Sequence, residues 1–199
     1  MDIRHANSAR DAEAIAAIYA PFVTNGPVSF EDVAPTAAEM AGRIERLTET
    51  HAWLVAEDGD DILGYAYGCP HRERAAYQWA TEVSVYVDPR HHRRGAGRAL
   101  YEALFPRLEE RGYRLALAGI ALPNDASVGL HEACGFEPVG VYRRIGFKHG
   151  KWWDVGWWQL ELPASQSSSS SNASVGQAST ARRASPIRSG GTSDSSMIG

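Results

Sequence analysis

Residues 87–100, VDPRHHRRGAGRAL, place four arginines, two histidines and two glycines immediately before an apolar-periodic segment. Imidazole nitrogens bind transition metals, and clustered arginines bind the phosphates of nucleic acids. Glycines at the start of a helix instead let backbone N–H groups approach a phosphate closely. The segment therefore suggests three kinds of site, which the neighbouring residues must distinguish.

Neither a metal site nor a nucleic-acid site is favoured by those neighbours. His91 and His92 are adjacent, so their side chains point apart in extended backbone and about 100° apart in a helix. Asp88 is the one further ligand type close by. Residues 1–162 carry 17 basic and 23 acidic side chains, which argues against a general polyanion binder. We expect no metal and no nucleic-acid partner.

The sequence RRGAGR follows a predicted strand and opens a predicted helix, which is where a phosphate group binds most readily. Gly95 and Gly97 would expose backbone amides, and Arg93, Arg94 and Arg98 could pair with phosphates. The Gly-Lys-Ser/Thr ending of a P-loop and the third glycine of G-x-G-x-x-G are both missing. On local sequence alone, a phosphate cradle and a basic turn before an amphipathic helix remain equally open.

Hydrophobic periodicity predicts the order β-α-α-β-β-β-α-β-α-β-β, an α/β (α+β) fold with helices on both faces of a mixed sheet. The clearest period of two is in TEVSVYVDP, where the valines face one way and Glu82, Ser84 and Tyr86 the other. This strand leads directly into the basic glycine segment. Its polar side chains should therefore lie close to any ligand that the segment binds.

Helix ends are also marked in the sequence. Ser8 and Asp11 resemble a capping box with Asp in place of Glu, and Asn124 or Asp125 is expected to cap a later helix. Pro106 removes a backbone donor inside the helix that follows the glycines. It should kink or shorten that helix near Glu102.

The composition changes at Pro163, which divides the chain into a folded domain, 1–162, and a tail, 163–199. Serine makes up 13 of the 37 tail residues, and large apolar side chains are almost absent there. Such a segment buries too little surface to offset its ordering entropy, so we expect disorder. With two cysteines in unrelated contexts and no long apolar run, we expect a cytoplasmic protein that does not contact membranes.

Three longer motifs resemble one known family: AYQWATEVSVYVDPRHHRRGAGRALY, LPNDASVGLHEACGF and GFKHGKWWDVGWWQL. Together they are similar to the Gcn5-related N-acetyltransferase (GNAT) superfamily, within it to the phosphinothricin and methionine sulfoximine or sulfone N-acetyltransferases. The resemblance covers nearly all of residues 2–162. It implies a mixed, mostly antiparallel sheet, acetyl-CoA as co-substrate, direct acetyl transfer to the α-amino group of an amino-acid-like substrate, and a homodimer.

The same resemblance assigns residues to the co-substrate. In the family, the Q/R-x-x-G-x-G/A loop holds the pyrophosphate, and a strand amide just past the general base polarises the thioester carbonyl. The positions implied to contact acetyl-CoA are Val85, Tyr86, Val87, Arg93, Arg94, Gly95, Ala96, Gly97, Arg98 and Asn124.

Glu82 matches the family's general base, which accepts the ammonium proton directly or through water. His131 lies seven residues after Asn124, where many superfamily members have tyrosine and this subgroup has histidine. It would protonate the departing thiolate or orient the substrate. Phe30, Arg74 and Tyr77 match the family's substrate-binding positions. Two other functions remain open: acetylation of a protein N-terminus or another amine, and non-catalytic sensing of an acyl-CoA.

Overall fold

The protein is described here by a computed structural model covering residues 1–163; apart from Pro163, the predicted disordered tail lies outside the described residues. The secondary-structure elements follow the predicted order. In chain order they are β1 Asp2–His5, α1 Ser8–Thr24, α2 Ala37–Thr48, β2 Trp53–Asp58, β3 Asp61–Pro70, β4 Ala80–Val87, α3 Ala96–Glu110, β5 Leu115–Leu122, α4 Asp125–Ala133, β6 Glu137–Lys148 and β7 Lys151–Glu161.

Strands β1 to β7 form one sheet with the order β1-β2-β3-β4-β5-β7-β6. Neighbouring strands run antiparallel except for β4 and β5, which are parallel. The predicted mixed, mostly antiparallel sheet is therefore confirmed. Strand β6 is an edge strand, so one side of its backbone has no partner strand within residues 1–163.

Helices cover both faces of the sheet, and each face has its own buried cluster. Leu100, Leu104 and Leu108 of α3 repeat every four residues, so they form one stripe that is completely buried against the sheet. Ile15 of α1 and Ile44 of α2 are buried in the second cluster, on the opposite face. The alternation of β4 therefore divides its side chains between two apolar layers.

The parallel pair at the centre of the sheet is short. Strand β4 pairs with β5 only through Ala80–Glu82 and Leu115–Leu117. Beyond Glu82 the two strands separate, and the crevice between them is lined by Val83–Tyr86 and Ala118–Ala121. Because strand backbone on either side of the gap has lost its partner, N–H and C=O groups there are free to bind a ligand.

Two sequence-based predictions about helix ends are wrong: the Ser8–Asp11 cap of α1 and a shortening of α3 near Glu102. The side chain that caps α1 belongs to Asn7, which accepts from the Arg10 amide at 3.0 Å. Asp11 is instead fully buried, where it accepts from both terminal nitrogens of Arg4 at 2.7 and 2.8 Å. Burial would raise the pKa of Asp11, but these bonds and one from the Asn7 amide hold it below its usual value. Asp11 therefore joins α1 to β1.

Helix α3 also does not end near Glu102, because it continues through Pro106 to Glu110. Proline removes one backbone donor, but the residues on either side of it, Leu104 and Leu108, are completely buried. Their burial stabilises the helical path by more than the missing hydrogen bond costs, since fully burying one leucine contributes about 2 kcal/mol.

Candidate active site

A groove with a volume of about 610 Å³ lies beside the start of α3. Strand β4, the loop after it, α3 and α4 form its walls. Nine of the ten residues predicted to contact acetyl-CoA line the groove: Val85, Tyr86, Val87, Arg93, Gly95, Ala96, Gly97, Arg98 and Asn124. The groove shares Val85, Tyr86 and Asn124 with the crevice between β4 and β5, so the two cavities adjoin.

Gly95 is the residue before the first turn of α3, and its backbone is left-handed with φ 80°. It has no side chain to cap the helix, so the first-turn amides of Ala96, Gly97 and Arg98 remain available. Gly97 contributes in a different way, because a Cβ there would lie 3.1 Å from a methyl of Leu130 and would crowd α4. The two glycines therefore create a helix N-terminus that an anion can approach.

The arginines of the loop are not equivalent. Arg93, which itself has φ 63°, lines the groove without an ion-pair partner in residues 1–163. Arg98 also lines it but is paired with Glu102 at 2.8 Å. Arg94 lies outside the groove, with its guanidinium 3.3 Å from Nδ1 of His91. The structure thus brings Arg93 and Arg98, but not Arg94, to the predicted phosphate site.

Glu82 lies on the same face of β4 as Tyr86, toward α1 and α2, and its side chain is 33% exposed. One oxygen, Oε1, is 2.8 Å from Nδ1 of His71, the residue that follows β3. Sequence analysis did not single out His71. The β3–β4 register pairs Cys69 with Glu82 and so places His71 nearby, but a register between distant strands is not readable from local residue types.

His131 is buried and lines the crevice on the α3–α4 side of the sheet. Its Nδ1 is 2.8 Å from the Ser127 carbonyl, which only accepts, so Nδ1 carries a hydrogen. Nε2 is 2.8 Å from the Tyr101 hydroxyl and accepts from it. Burial lowers the pKa of His131 and raises that of Tyr101 well above its ordinary value. Both groups are therefore neutral near pH 7. Tyr101 is a second site residue that sequence analysis missed.

The three predicted substrate-binding residues lie in two places. Tyr77 packs edge-on to His71, with ring centroids 5.7 Å apart. Arg74 is exposed and forms no ion pair with any residue that the structure describes, so its guanidinium is available to an anionic group. Phe30 instead lies against β6, where a Cβ on Gly146 would overlap its ring.

A buried lysine at the end of β6 anchors the loop that carries Phe30. The Lys148 ammonium is within hydrogen-bond distance of the Val23 carbonyl, 2.6 Å from that of Ser29 and 2.8 Å from that of Glu31. Arg43 adds a bidentate contact to the Glu31 carboxylate, and its hydrogen bonds lower the pKa of Glu31. The α1–α2 loop is thus joined to both β6 and α2.

The cysteines are not suited to covalent catalysis. Cys69 and Cys134 are both free thiols. Burial raises the pKa of Cys69 to about 12, and burial also raises the pKa of Cys134. Since the thiolate is the nucleophile, neither residue is activated at neutral pH. Neither cysteine is therefore a candidate for carrying the acetyl group.

Two kinds of feature are absent from residues 1–163. No three His, Cys, Asp or Glu side chains lie close enough together to hold a metal ion. None of the helices in this part of the chain has the length and apolar character needed to span a membrane.

Comparison with known proteins agrees with this site. The family model described as acetyltransferase (GNAT) domain matches residues 3–157. The chain belongs to the GNAT acetyltransferases.

Among characterised relatives, a phosphinothricin N-acetyltransferase of Streptomyces viridochromogenes is 42% identical over 166 residues, 82% of this chain and 90% of that protein. An L-methionine sulfoximine/L-methionine sulfone acetyltransferase of Salmonella typhimurium is 32% identical, covering 81% and 95%. A GNAT phosphinothricin acetyltransferase from Sinorhizobium meliloti, solved in complex with acetyl-CoA, superimposes with a TM-score of 0.76 at 36% identity, covering 81% and 88%.

The buried lysine generates a prediction about this GNAT protein. Lys148→Met removes the donor that three backbone carbonyls share. We expect the free energy of unfolding to fall by about 2–5 kcal/mol. Hydrogen exchange should increase in residues 23–31, because they lose their anchor to β6. Denaturant titration and exchange mass spectrometry measure the two effects.

Lys151→Met is the matched control, since Lys151 is exposed and its ammonium lies 3.7 Å above the Trp153 ring. It should change exchange in residues 23–31 little. Equal exchange in that loop for wild type and Lys148→Met would show that Lys148 does not anchor it.

Proposed function

We propose that this protein is an acetyl-CoA-dependent N-acetyltransferase. Its acceptor is the α-amino group of a small amino-acid-like substrate of the phosphinothricin, methionine sulfoximine or methionine sulfone type. One observation carries the proposal: the uncapped start of α3 at Gly95 lies in a groove that adjoins the crevice beyond Glu82. The groove at Gly95 would hold the pyrophosphate of acetyl-CoA, and the adjoining crevice would hold its thioester. The relatives support the substrate class.

Binding of the co-substrate rests on the loop and the separated strands. The first-turn amides of α3 and the guanidinium of Arg93 would hold the pyrophosphate. The acyl arm would then extend between β4 and β5, where Val85 or a neighbouring residue offers an unpaired backbone N–H to the thioester carbonyl. A donor fixed in this way stabilises the developing oxyanion without reorganisation.

Direct transfer requires a neutral amine, and the carboxylate of Glu82 would promote its deprotonation. This carboxylate lies at the mouth of the crevice, one third exposed and therefore open to a substrate. The free guanidinium of Arg74, with Tyr77, would bind an anionic phosphinate or carboxylate, and Phe30 would contact the apolar part of the substrate. These assignments follow the resemblance, and the exposure of Arg74 supports them.

We propose that His131 orients the Tyr101 hydroxyl and does not act as a general acid. Its Nδ1–H is directed to the Ser127 carbonyl, so the neutral imidazole has no hydrogen on Nε2 to give. It can hold the Tyr101 hydroxyl in the crevice wall, where the sulfur of the co-substrate would leave. The buried pair therefore acts as one hydrogen-bonding unit.

A homodimer is supported by β6, an edge strand with exposed apolar side chains. Val139, Val141, Tyr142, Ile145 and Phe147 are each 47–59% exposed. Such an edge is normally covered or paired. Gly140 to Tyr142 also border the cavity beside His71, so a second subunit on β6 would lie near the substrate. Sedimentation equilibrium should find a dimer at micromolar concentration; a monomer alone would contradict this arrangement.

We also propose that the protein is cytoplasmic. Its two free thiols suit that reducing compartment.

Thiol release from acetyl-CoA tests the function. With phosphinothricin, methionine sulfoximine and methionine sulfone as acceptors, we expect turnover well above hydrolysis, and little with polyamines, aminoglycosides or N-terminal peptides. Preference for a peptide would favour acetylation of protein N-termini. Binding of acetyl-CoA without thiol release for any amine would favour an acyl-CoA sensor.

The phosphate loop is tested by Gly95→Ala. Alanine at φ 80° costs about 1–2 kcal/mol, and relief of this strain would distort the start of α3. Acetyl-CoA affinity measured by calorimetry should fall about 5–30-fold, with KM for the amine unchanged. Gly42→Ala, in α2 with nothing within 4 Å of the added Cβ, is the control and should leave affinity intact. Equal affinity in all three proteins would contradict the proposed pyrophosphate site.

A further inference from the structure

His71 stands between the end of β3 and Glu82. Its side chain is 14% exposed, and its Nδ1 is 2.8 Å from Oε1 of Glu82. An ionised carboxylate only accepts hydrogen bonds, so beside it Nδ1 carries the hydrogen and Nε2 carries a lone pair. No group in residues 1–163 forms a hydrogen bond with Nε2. The pair is therefore a histidine oriented by a carboxylate, with one basic nitrogen left free.

The His71 ring lines a cavity of about 410 Å³. Leu117 and Trp157 form part of its wall, and the Trp157 ring packs edge-on to the imidazole at 6.0 Å. Tyr77, a predicted substrate-binding residue, packs on it at 5.7 Å. Because Glu82 occupies Nδ1, Nε2 is the ring nitrogen without a partner in residues 1–163, and His71 itself borders the cavity.

The charged and titratable groups around His71 come from each neighbouring element. Glu82 faces it from β4, Tyr77 from the turn before β4, and Tyr142 from β6 across the cavity. Arg72, its chain neighbour, lines the same cavity. Glu82 is thus the one carboxylate among these residues, and it contacts the imidazole directly.

We propose that His71 is the group that takes the proton from the substrate ammonium, with Glu82 orienting the ring and stabilising the imidazolium. This rests on the proposed function. The ammonium loses one proton to Nε2 of His71, and the nitrogen lone pair then bonds to the thioester carbonyl carbon. As the C–S bond breaks, the second proton leaves nitrogen and ends on the sulfur. Amide, free thiol and one proton, later released to solvent, balance the reaction.

The decisive variant is His71→Asn, because the asparagine amide can replace Nδ1–H as a donor to Glu82 but offers no basic nitrogen. With acetyl-CoA and methionine sulfone at pH 7, we expect kcat to fall about 100-fold or more, with KM for acetyl-CoA unchanged. As pH rises, the substrate itself supplies free amine. The ratio of wild-type to variant kcat/KM should therefore shrink toward about 1 near pH 10.

A merely structural role would lower the rate by the same factor at every pH, and that result would overturn the proposal, as would unchanged kcat at pH 7. His71→Gln serves as a second variant if His71→Asn melts early. His5→Asn, on the exposed edge strand β1, is the control and should keep wild-type kinetics. Absence of wild-type turnover with every amine would instead overturn the proposed function, and this inference with it.

Discussion

The parallel contact between β4 and β5 ends after three residue pairs, and the site depends on that separation. Had the ladder continued, the backbone groups beyond Glu82 would be occupied and no crevice would exist. Side chains of β4 pack into two different apolar clusters, one on each face of the sheet, so the strand that borders the opening is itself held by the core on both sides.

Each element around the opening contributes a different feature of the site. The start of α3 presents amides without a side-chain cap, and Gly97 allows α4 to pack closely through Leu130. On the other face, the Lys148 ammonium fastens the loop that carries Phe30. Removing this ammonium would leave three backbone carbonyls without their donor, which makes the arrangement costly to distort.

Two histidines on opposite faces of the sheet show how surroundings decide the role of one residue type. His131 is enclosed, its tautomer is set by the Ser127 carbonyl, and burial lowers its pKa. His71 donates to a carboxylate and keeps its second nitrogen free at a cavity. The first is suited to holding Tyr101, and the second to accepting a proton.

By itself, the sequence determined the order of elements, the mixed sheet, the glycine loop at the start of α3 and the Asn124 cap of α4, because these depend on neighbouring residues. It misassigned Asp11, which pairs with Arg4, and the expected shortening of α3 at Pro106 does not occur because the helix is buried on both sides of the proline. It also missed His71, Tyr101 and Lys148. Their partners are 11 to 125 residues away along the chain, so only strand register and packing bring them together. Tertiary structure alone turned isolated polar residues into hydrogen-bonded pairs.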